Sequence, residues 1–188
     1  DVRDRVSYNL YGSPGLVDMP TAEVPPDATL AGTYANLSGT SRSTLYFQIL
    51  PRLSGSFRYS AIENFLNGGT STLFDRSFDL RYQLLTETDR RPSVVVGLKD
   101  FIGTGIYSGE YLVATKTLSP GLKVTGGFGW GRYGSYSPFA TTGTRPGGFT
   151  GTGGLPEIDR FFRGDVAAFG GVSYAPHDRL NLKLEYSS

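Results

Sequence analysis

The sequence predicts an all-β protein, an antiparallel up-and-down transmembrane β-barrel of which about nine strands are visible. Three observations predict this class. Apolar and polar residues alternate along most of the chain after residue 27, which is the period of a strand with two unlike faces. The connections between these stretches alternate in length. No apolar run approaches the ~18 residues that a membrane helix needs.

The N-terminal residues 1–27 are expected to form an irregular lead-in. Glycine and proline interrupt them repeatedly, at Gly12, Pro14, Gly15, Pro20, Pro25 and Pro26. At most one short strand is predicted there, near Val6–Tyr11. The remaining residues, 28–188, are predicted to supply the barrel strands.

Each predicted strand separates its apolar from its polar residues. In one of them, Phe78, Leu80 and Tyr82 alternate with Asp79 and Arg81. Bacterial single-chain barrels usually have an even number of strands, so an odd count predicts an incomplete part of a larger barrel. The predicted strands are Ala28–Ala35, Arg42–Leu50, Ser54–Ile62, Ser77–Leu85, Ser93–Lys99, Tyr107–Thr117, Leu122–Gly131, Phe161–Tyr174 and Leu180–Tyr186.

The connections between these strands favour a simple meander. Short ones alternate with longer ones, as in outer-membrane barrels, which have short periplasmic turns and longer outside loops. The longest, 133–160, is rich in Gly, Thr, Ser and Pro and is predicted to be a mobile loop. The short connections are Pro51–Leu53, Glu87–Pro92, Ser119–Gly121 and Ala175–Arg179; Phe101–Ile106 is intermediate, and Glu63–Arg76 is long.

Two folds share this period-two pattern. In a soluble β-sandwich the apolar face is the core, whereas in a barrel it meets lipid and the charged face lines the lumen. The polar face carries both signs of charge and the apolar face carries many Tyr, which suits a membrane interface. Both features favour the barrel. The predicted lumen charges are Arg58, Asp79, Arg81, Lys99, Glu110, Lys116, Lys123, Arg163, Asp165, Lys183 and Glu185.

The composition excludes several kinds of site. A formal net charge of +1 argues against nucleic acid as a partner, because such proteins usually present a basic face. These residues contain no Cys, so disulfides, thiolate metal sites and Cys nucleophiles are excluded. The one His, His177, lies in a predicted turn and has no evident catalytic partners. No enzyme activity, cofactor or metal is therefore expected.

Several stretches of the chain resemble a known family. They are Gly12–Ala22, Asp75–Arg81, Val96–Gly105, Glu110–Lys116 and Gly127–Arg132. In order and spacing they are similar to the YjbH/GfcD family of outer-membrane proteins linked to exopolysaccharide and capsule production. The resemblance implies a barrel in the outer membrane of a Gram-negative bacterium. Family members are longer, and some look like lipoproteins, a feature from which these Cys-free residues depart.

The resemblance, together with the strand pattern, implies a role in exopolysaccharide or capsule secretion or assembly. The expected partners are outer-membrane lipid, the polysaccharide and other envelope export proteins. Two alternatives stay open: a scaffold barrel that contacts envelope partners through the loop 133–160, and a soluble β-sandwich binding module. The candidates for the lumen or polysaccharide path are Tyr46, Arg58, Asp79, Arg81, Lys99, Glu110, Lys116, Arg163 and Asp165.

Overall fold

A computed structural model describes residues 5–65, 71–147, 156 and 158–187. Two short 3₁₀ helices in this part, Gly131–Tyr133 and Ile158–Arg160, flank the long loop. No helix in the described ranges is long and apolar enough to cross a membrane. The strands are β1 Leu30–Leu37, β2 Thr40–Leu50, β3 Leu53–Ile62, β4 Leu73–Leu85, β5 Ser93–Gly103, β6 Gly109–Ser119, β7 Leu122–Gly129, β8 Ala140–Thr141, β9 Asp165–His177 and β10 Leu180–Tyr186.

These strands form one antiparallel sheet, which confirms the predicted all-β meander. Its order is β1-β2-β3-β4-β5-β6-β7-β9-β10, and the two-residue β8 pairs with the start of β9. Within the described residues β1 pairs only with β2, and β10 only with β9. The sheet in this part of the chain is therefore open, and its membership of a larger barrel stays a prediction.

Local backbone geometry explains where the predicted strand ends were wrong. Strand β9 begins at Asp165 rather than at Phe161, because Phe162 and Gly164 adopt left-handed φ of 57° and 94°, which a strand cannot continue. Strand β7 stops at Gly129, since Gly131 at φ 62° starts a 3₁₀ turn. The short β8 was not predicted. Residues 148–155 and 157, in the loop predicted to be mobile, lie outside the described residues.

The connections at one end of the sheet are all short, and those at the other end include the long loops. Two connections at the long-loop end are nevertheless short: residues 104–108 between β5 and β6, and the tight β1–β2 turn at Ser38 and Gly39, which have φ of 50° and 74°. Two consecutive left-handed residues are what the favoured two-residue hairpin turn requires. We call the other end of the sheet the short-turn end.

The sheet has two unlike faces. Tyr46, Arg58 and Arg81 are buried on the face that we call inner, whereas their neighbours Leu45 and Tyr82 are exposed on the outer face. This alternation continues from strand to strand because cross-strand partners share a face. The inner and outer faces match the polar and apolar faces of the predicted strands, with the exceptions given below.

The N-terminal segment, residues 5–26, lies across the inner face. It contains no regular strand, only isolated bridges such as Tyr8–Pro14, so a strand near Val6–Tyr11 is not formed. Its Met19 and Ala22 are almost fully buried in a small apolar cluster with inner-face residues such as Val95 and Val113. The segment therefore supplies the second layer that the inner face packs against.

Gly97 tests this packing on the inner face. A Cβ placed there would come within 2.2 Å of the Tyr111 ring, and Tyr111 is itself buried against Tyr133. We expect Gly97→Val to lower the free energy of unfolding by about 1–3 kcal/mol, the usual cost of overpacking. The matched control is Gly126→Val, because a Cβ at Gly126 meets nothing within 4 Å. Denaturant midpoints of the full-length protein should fall for the first variant only; equal midpoints would contradict this packing.

Candidate functional site

The inner face is built largely from polar side chains that are nevertheless buried. At its middle, Arg58 donates to Asp79 (Nη1–Oδ2 2.9 Å), and Lys99 Nζ lies 3.4 Å from the same carboxylate oxygen. Arg58 is 0% exposed and Asp79 is 5% exposed. Removing one partner of such a pair leaves the other charge buried without a counter-charge. The three side chains therefore have to be considered as one unit.

A β-bulge directs a backbone donor at this unit. The β4–β5 register shifts between Phe78 and Leu80, and Asp100 adopts φ 53°. The Asp100 N–H consequently donates to Asp79 Oδ1 at 2.9 Å. Bulges of this kind re-aim groups locally, and here the bulge satisfies a carboxylate that strand geometry alone would leave underbonded.

Tyr11 of the N-terminal segment inserts its ring among four cations. The distances to the ring centroid are 3.9 Å for Lys99 Nζ and 4.0, 4.6 and 5.2 Å for the Cζ atoms of Arg132, Arg42 and Arg58. Burial raises the pKa of the Tyr11 phenol more than nearby cations such as Arg132 lower it. The ring therefore stays neutral and acts as a π surface for these cations.

Side chains of the inner face bind the main chain of the N-terminal segment. Arg81 Nη2 donates to the Thr21 carbonyl at 2.5 Å, and Lys183 Nζ donates to the Leu16 carbonyl at 2.6 Å. The Glu185 carboxylate accepts three consecutive backbone N–H groups, those of Val17, Asp18 and Met19, at 2.9, 3.0 and 2.9 Å. Contacts of this type fix the path of the segment.

Two ion pairs add side-chain contacts between the N-terminal segment and the rest of the protein. Arg132 Nη2 lies 2.9 Å from Asp18 Oδ2, and Lys123 Nζ lies 2.6 Å from Glu23 Oε1. Burial acts to lower the pKa of the Arg132 guanidinium, but Tyr133, Tyr11 and Asp18 outweigh it and the net pKa is raised. Arg132 is thus held in its charged form.

A cleft of about 240 Å³ opens between the N-terminal segment and the short-turn end of the sheet. Its lining includes Glu23, Gln83, Glu87 and Lys123. Burial raises the pKa of the Glu87 carboxyl, but hydrogen bonds from Lys116 and Thr117 lower it further, so the net pKa is below its usual value. Glu87 thereby ties the β4–β5 turn to the end of β6 as a carboxylate.

Some inner-face polar atoms have no hydrogen-bond partner within the part of the chain that the structure describes. Ser60 Oγ and Asp75 Oδ2 are buried without a hydrogen bond from the described residues. Polar groups of this kind normally hold water, so the inner face has the chemistry of a hydrated interior. Among the described residues, no group of three or more His, Asp or Glu side chains is arranged to hold a metal ion.

The structure brings five of the nine predicted path residues to the inner face, buried beneath the N-terminal segment. They are Tyr46, Arg58, Asp79, Arg81 and Lys99. Their placement agrees with the strand alternation. Whether any of them contacts polysaccharide stays a prediction.

The predicted face was wrong for Glu110 and Lys116. Glu110 pairs across strands with the outer-face Leu98, and Gly97 with the inner-face Tyr111, so even-numbered residues of β6 face outward. Glu110 is buried because Arg145 of the long loop covers it, with Nη1–Oε2 at 2.7 Å. Lys116 binds Glu87 at the short-turn end.

The predicted strand position was wrong for Arg163, and Asp165 lies at the very start of its strand. Arg163 lies in the turn before β9 and Asp165 is the first residue of that strand, and both are exposed. Left-handed Gly164 separates them and takes Arg163 out of the strand. Asp165 follows the alternation of the inner-face Ala167 and Phe169, and its place on a polysaccharide path stays a prediction.

Sequence reasoning missed the residues that fill the inner face. Tyr11, Asp18 and Glu23 stood in a stretch interpreted as a lead-in, and Arg132 stood between a predicted strand and the predicted long loop. Irregular backbone has no period to interpret. The available signal was the resemblance to a known family, because its stretches Gly12–Ala22 and Gly127–Arg132 contain Asp18 and Arg132.

Comparison with known proteins bears out that resemblance. The model of the YjbH family, described as "Exopolysaccharide biosynthesis protein YbjH", matches residues 7–188. The chain belongs to the YjbH family. It is 32% identical over 197 residues to the uncharacterized lipoprotein YjbH of Escherichia coli (strain K12), a match that covers 96% of this chain but only 28% of that relative. No solved structure matches the chain.

The hydrogen bonds from the N-terminal segment to the Glu185 carboxylate can be tested directly. We expect Glu185→Ala to make the amides of Val17, Asp18 and Met19 exchange roughly tenfold faster or more, because hydrogen bonds to a charged group contribute about 1.5–3 kcal/mol. Hydrogen exchange with mass spectrometry measures this. Glu63→Gln, a change at an exposed carboxylate, is the control. Unchanged exchange in Glu185→Ala would show that the segment is held by other contacts.

The Glu87 bridge predicts a pH dependence. Its folded pKa is lowered, so its contribution to stability is complete above the ordinary glutamate pKa of about 4.3 and is lost as pH falls through the folded pKa. We expect Glu87→Gln to be less stable than the wild type at pH 7, with the difference closing in more acidic buffer. Denaturant midpoints across this range measure it. A difference that stays constant down to pH 3 would exclude the carboxylate as the cause.

Proposed function

We propose that these residues form part of an outer-membrane β-barrel wall that assists exopolysaccharide secretion or assembly. The observation that carries the proposal is the outer face. It exposes aliphatic and aromatic side chains on nearly every strand, while the opposite face is polar, charged and covered. A contiguous apolar surface of this extent is unusual on a soluble monomer and is typical of a surface in contact with lipid or protein. Exposed outer-face residues include Leu45, Ile49, Tyr59, Phe74, Phe78, Tyr82, Leu84, Val124, Tyr174, Leu182 and Leu184.

The position of the aromatic rings supports a membrane rather than a protein partner. At the long-loop end, Trp130 packs edge-to-face between Phe128 and Phe162, with centroid distances of 5.6 and 5.1 Å. Near the short-turn end, Tyr82 and Tyr174 are exposed on the same face. Aromatic residues at both borders of an apolar band resemble the girdles of outer-membrane barrels.

The family supplies the link to polysaccharide, since the matching model is described by exopolysaccharide biosynthesis. The described geometry limits where a sugar chain can bind. Tyr46 and Arg58 are 1% and 0% exposed beneath the N-terminal segment. Contact between these side chains and polysaccharide therefore requires the segment to leave the inner face. The proposed role needs no catalytic residue in this part of the protein.

A second candidate is a scaffold that binds envelope proteins through the long loop. The specific observation in its favour is that Tyr136, Phe139 and Ile158 are 72%, 66% and 74% exposed near that end of the sheet. Removing residues 135–142 should then abolish partner capture from solubilised envelopes while the heat-dependent gel shift of a folded barrel persists. Polysaccharide secretion that is normal in the absence of the whole protein would favour this candidate.

The function is tested in cells that carry a deletion of the gene. We expect less secreted and surface polysaccharide than in the parent, restored by the full-length gene. Growth and total outer-membrane protein serve as controls for general envelope damage. Unchanged polysaccharide in the deletion strain would contradict the proposed role without bearing on the fold.

An outer-face charge separates lipid from water contact. In a membrane, Leu45→Arg should destabilise the protein by about 2–4 kcal/mol, the cost near the bilayer midplane, whereas the same change near an interface costs little. Leu118→Arg, at the short-turn end of β6, is the matched control. Folding titrations of full-length protein into lipid vesicles measure both. A soluble sheet would tolerate both changes, because Leu45 is already 45% exposed.

A further inference from the structure

The two strands at the borders of the sheet, β1 and β10, each have one edge whose backbone N–H and C=O groups are not paired with another described strand. Directly before β1, the Thr29 carbonyl accepts the Gln48 N–H at 2.9 Å, so residue 29 points its backbone groups at β2. Successive residues of a strand point these groups to opposite sides, which directs those of Leu30, Gly32 and Tyr34 away from β2. No strand among residues 5–65, 71–147 and 158–187 pairs with them.

The edge of β1 lacks the features that keep natural edge strands apart from other chains, whereas β10 carries Lys183 and a register shift between Leu180 and Leu182. Strand β1 has the sequence LAGTYANL, with no charge and no proline, and it pairs with β2 in unbroken register. In β10 the outer-face Leu184 and Tyr186 are 75% and 59% exposed. Proteins usually protect a free edge with Lys, Pro, a bulge or a covering segment, so β1 in particular has the character of a strand that pairs on both sides.

The direction of the strands restricts what can cover them. Nine strands follow one another antiparallel along the path from β1 to β10, so the first and the ninth run in the same direction. Joining β10 directly to β1 would make a parallel pair. A second copy in the same membrane orientation would also meet β1 with a parallel β10. An antiparallel wall is completed only by an odd number of further strands.

We infer that the edges of β1 and β10 are covered by an odd number of additional strands from the same polypeptide, outside residues 5–187. This rests on the proposed barrel for its antiparallel closure. The family relative is long enough to supply such strands, because this chain covers only 28% of it. The partner is thus a further segment of the protein, bound by main-chain hydrogen bonds along β1 and by outer-face apolar contacts beside Leu184 and Tyr186.

Crosslinking at two glycines tests the inference. Gly32 lies on the open edge of β1, and Gly126 lies on the outer face in the interior strand β7; a Cβ at either meets nothing within 4 Å. A benzophenone amino acid is placed at each position in the full-length protein in its own membranes, with two differently tagged copies coexpressed. Irradiated products are separated by denaturing gel and mapped by mass spectrometry.

We expect position 126 to crosslink to its neighbours β6 and β9, which validates the method. Position 32 should crosslink within one polypeptide to β2 and to a peptide outside residues 5–187. Crosslinks from position 32 to Leu180–Tyr186, to a copy with the other tag, or to β2 alone would each overturn the inference. Fractionation of the same cells separates this outcome from the proposed function: a covered edge in a water-soluble protein would refute the membrane role only.

Discussion

The arrangement depends on the need to satisfy buried polar and charged groups on the inner face of the sheet. The Arg58–Asp79–Lys99 unit lies away from bulk water, where an unpaired charge would be strongly destabilising. A regular strand directs its N–H and C=O groups sideways toward neighbouring strands. It would therefore offer few of these groups to the side chains of the inner face. The irregular N-terminal segment instead presents carbonyls to Arg81 and Lys183 and N–H groups to Glu185. Its irregularity is therefore what allows the fit.

This constraint explains why apolar and polar surfaces occupy unexpected sides. Most proteins bury aliphatic residues and expose charge, whereas here the outer face exposes residues such as Leu45 and Phe78 and the inner face buries Arg58. The apolar cluster around Met19 and Val95 is small and serves to seat the segment. An external apolar medium and a hydrated interior make this distribution favourable. The same distribution in water would expose a large apolar surface at a considerable cost.

The strands and their order could be predicted from the sequence, because apolar and polar residues alternate along a strand that has one apolar and one polar face. That alternation placed Tyr46 and Arg81 correctly. It misplaced Glu110, because a charged residue suggests the polar face of a strand. The Arg145 side chain that pairs with this outer-face carboxylate is distant in sequence, so the pairing could not be foreseen. The role of Tyr11 could not be predicted, because four cations from separate segments meet its ring only in three dimensions. Turn geometry at Phe162 and Gly164 likewise decided the start of β9.

The proposed contact between the outer face and lipid can be measured with spin labels placed singly at positions 44–49 of β2 in the full-length protein in its native membranes. Collision rates are recorded for oxygen and for a water-soluble nickel complex. We expect these rates to alternate with a period of two residues. Labels at Leu45, Phe47 and Ile49 should collide with oxygen and not with nickel, while those at Thr44, Tyr46 and Gln48 should be shielded from oxygen. Nickel collisions at Leu45 and Phe47 equal to those of an exposed turn would place this face in water and contradict the account.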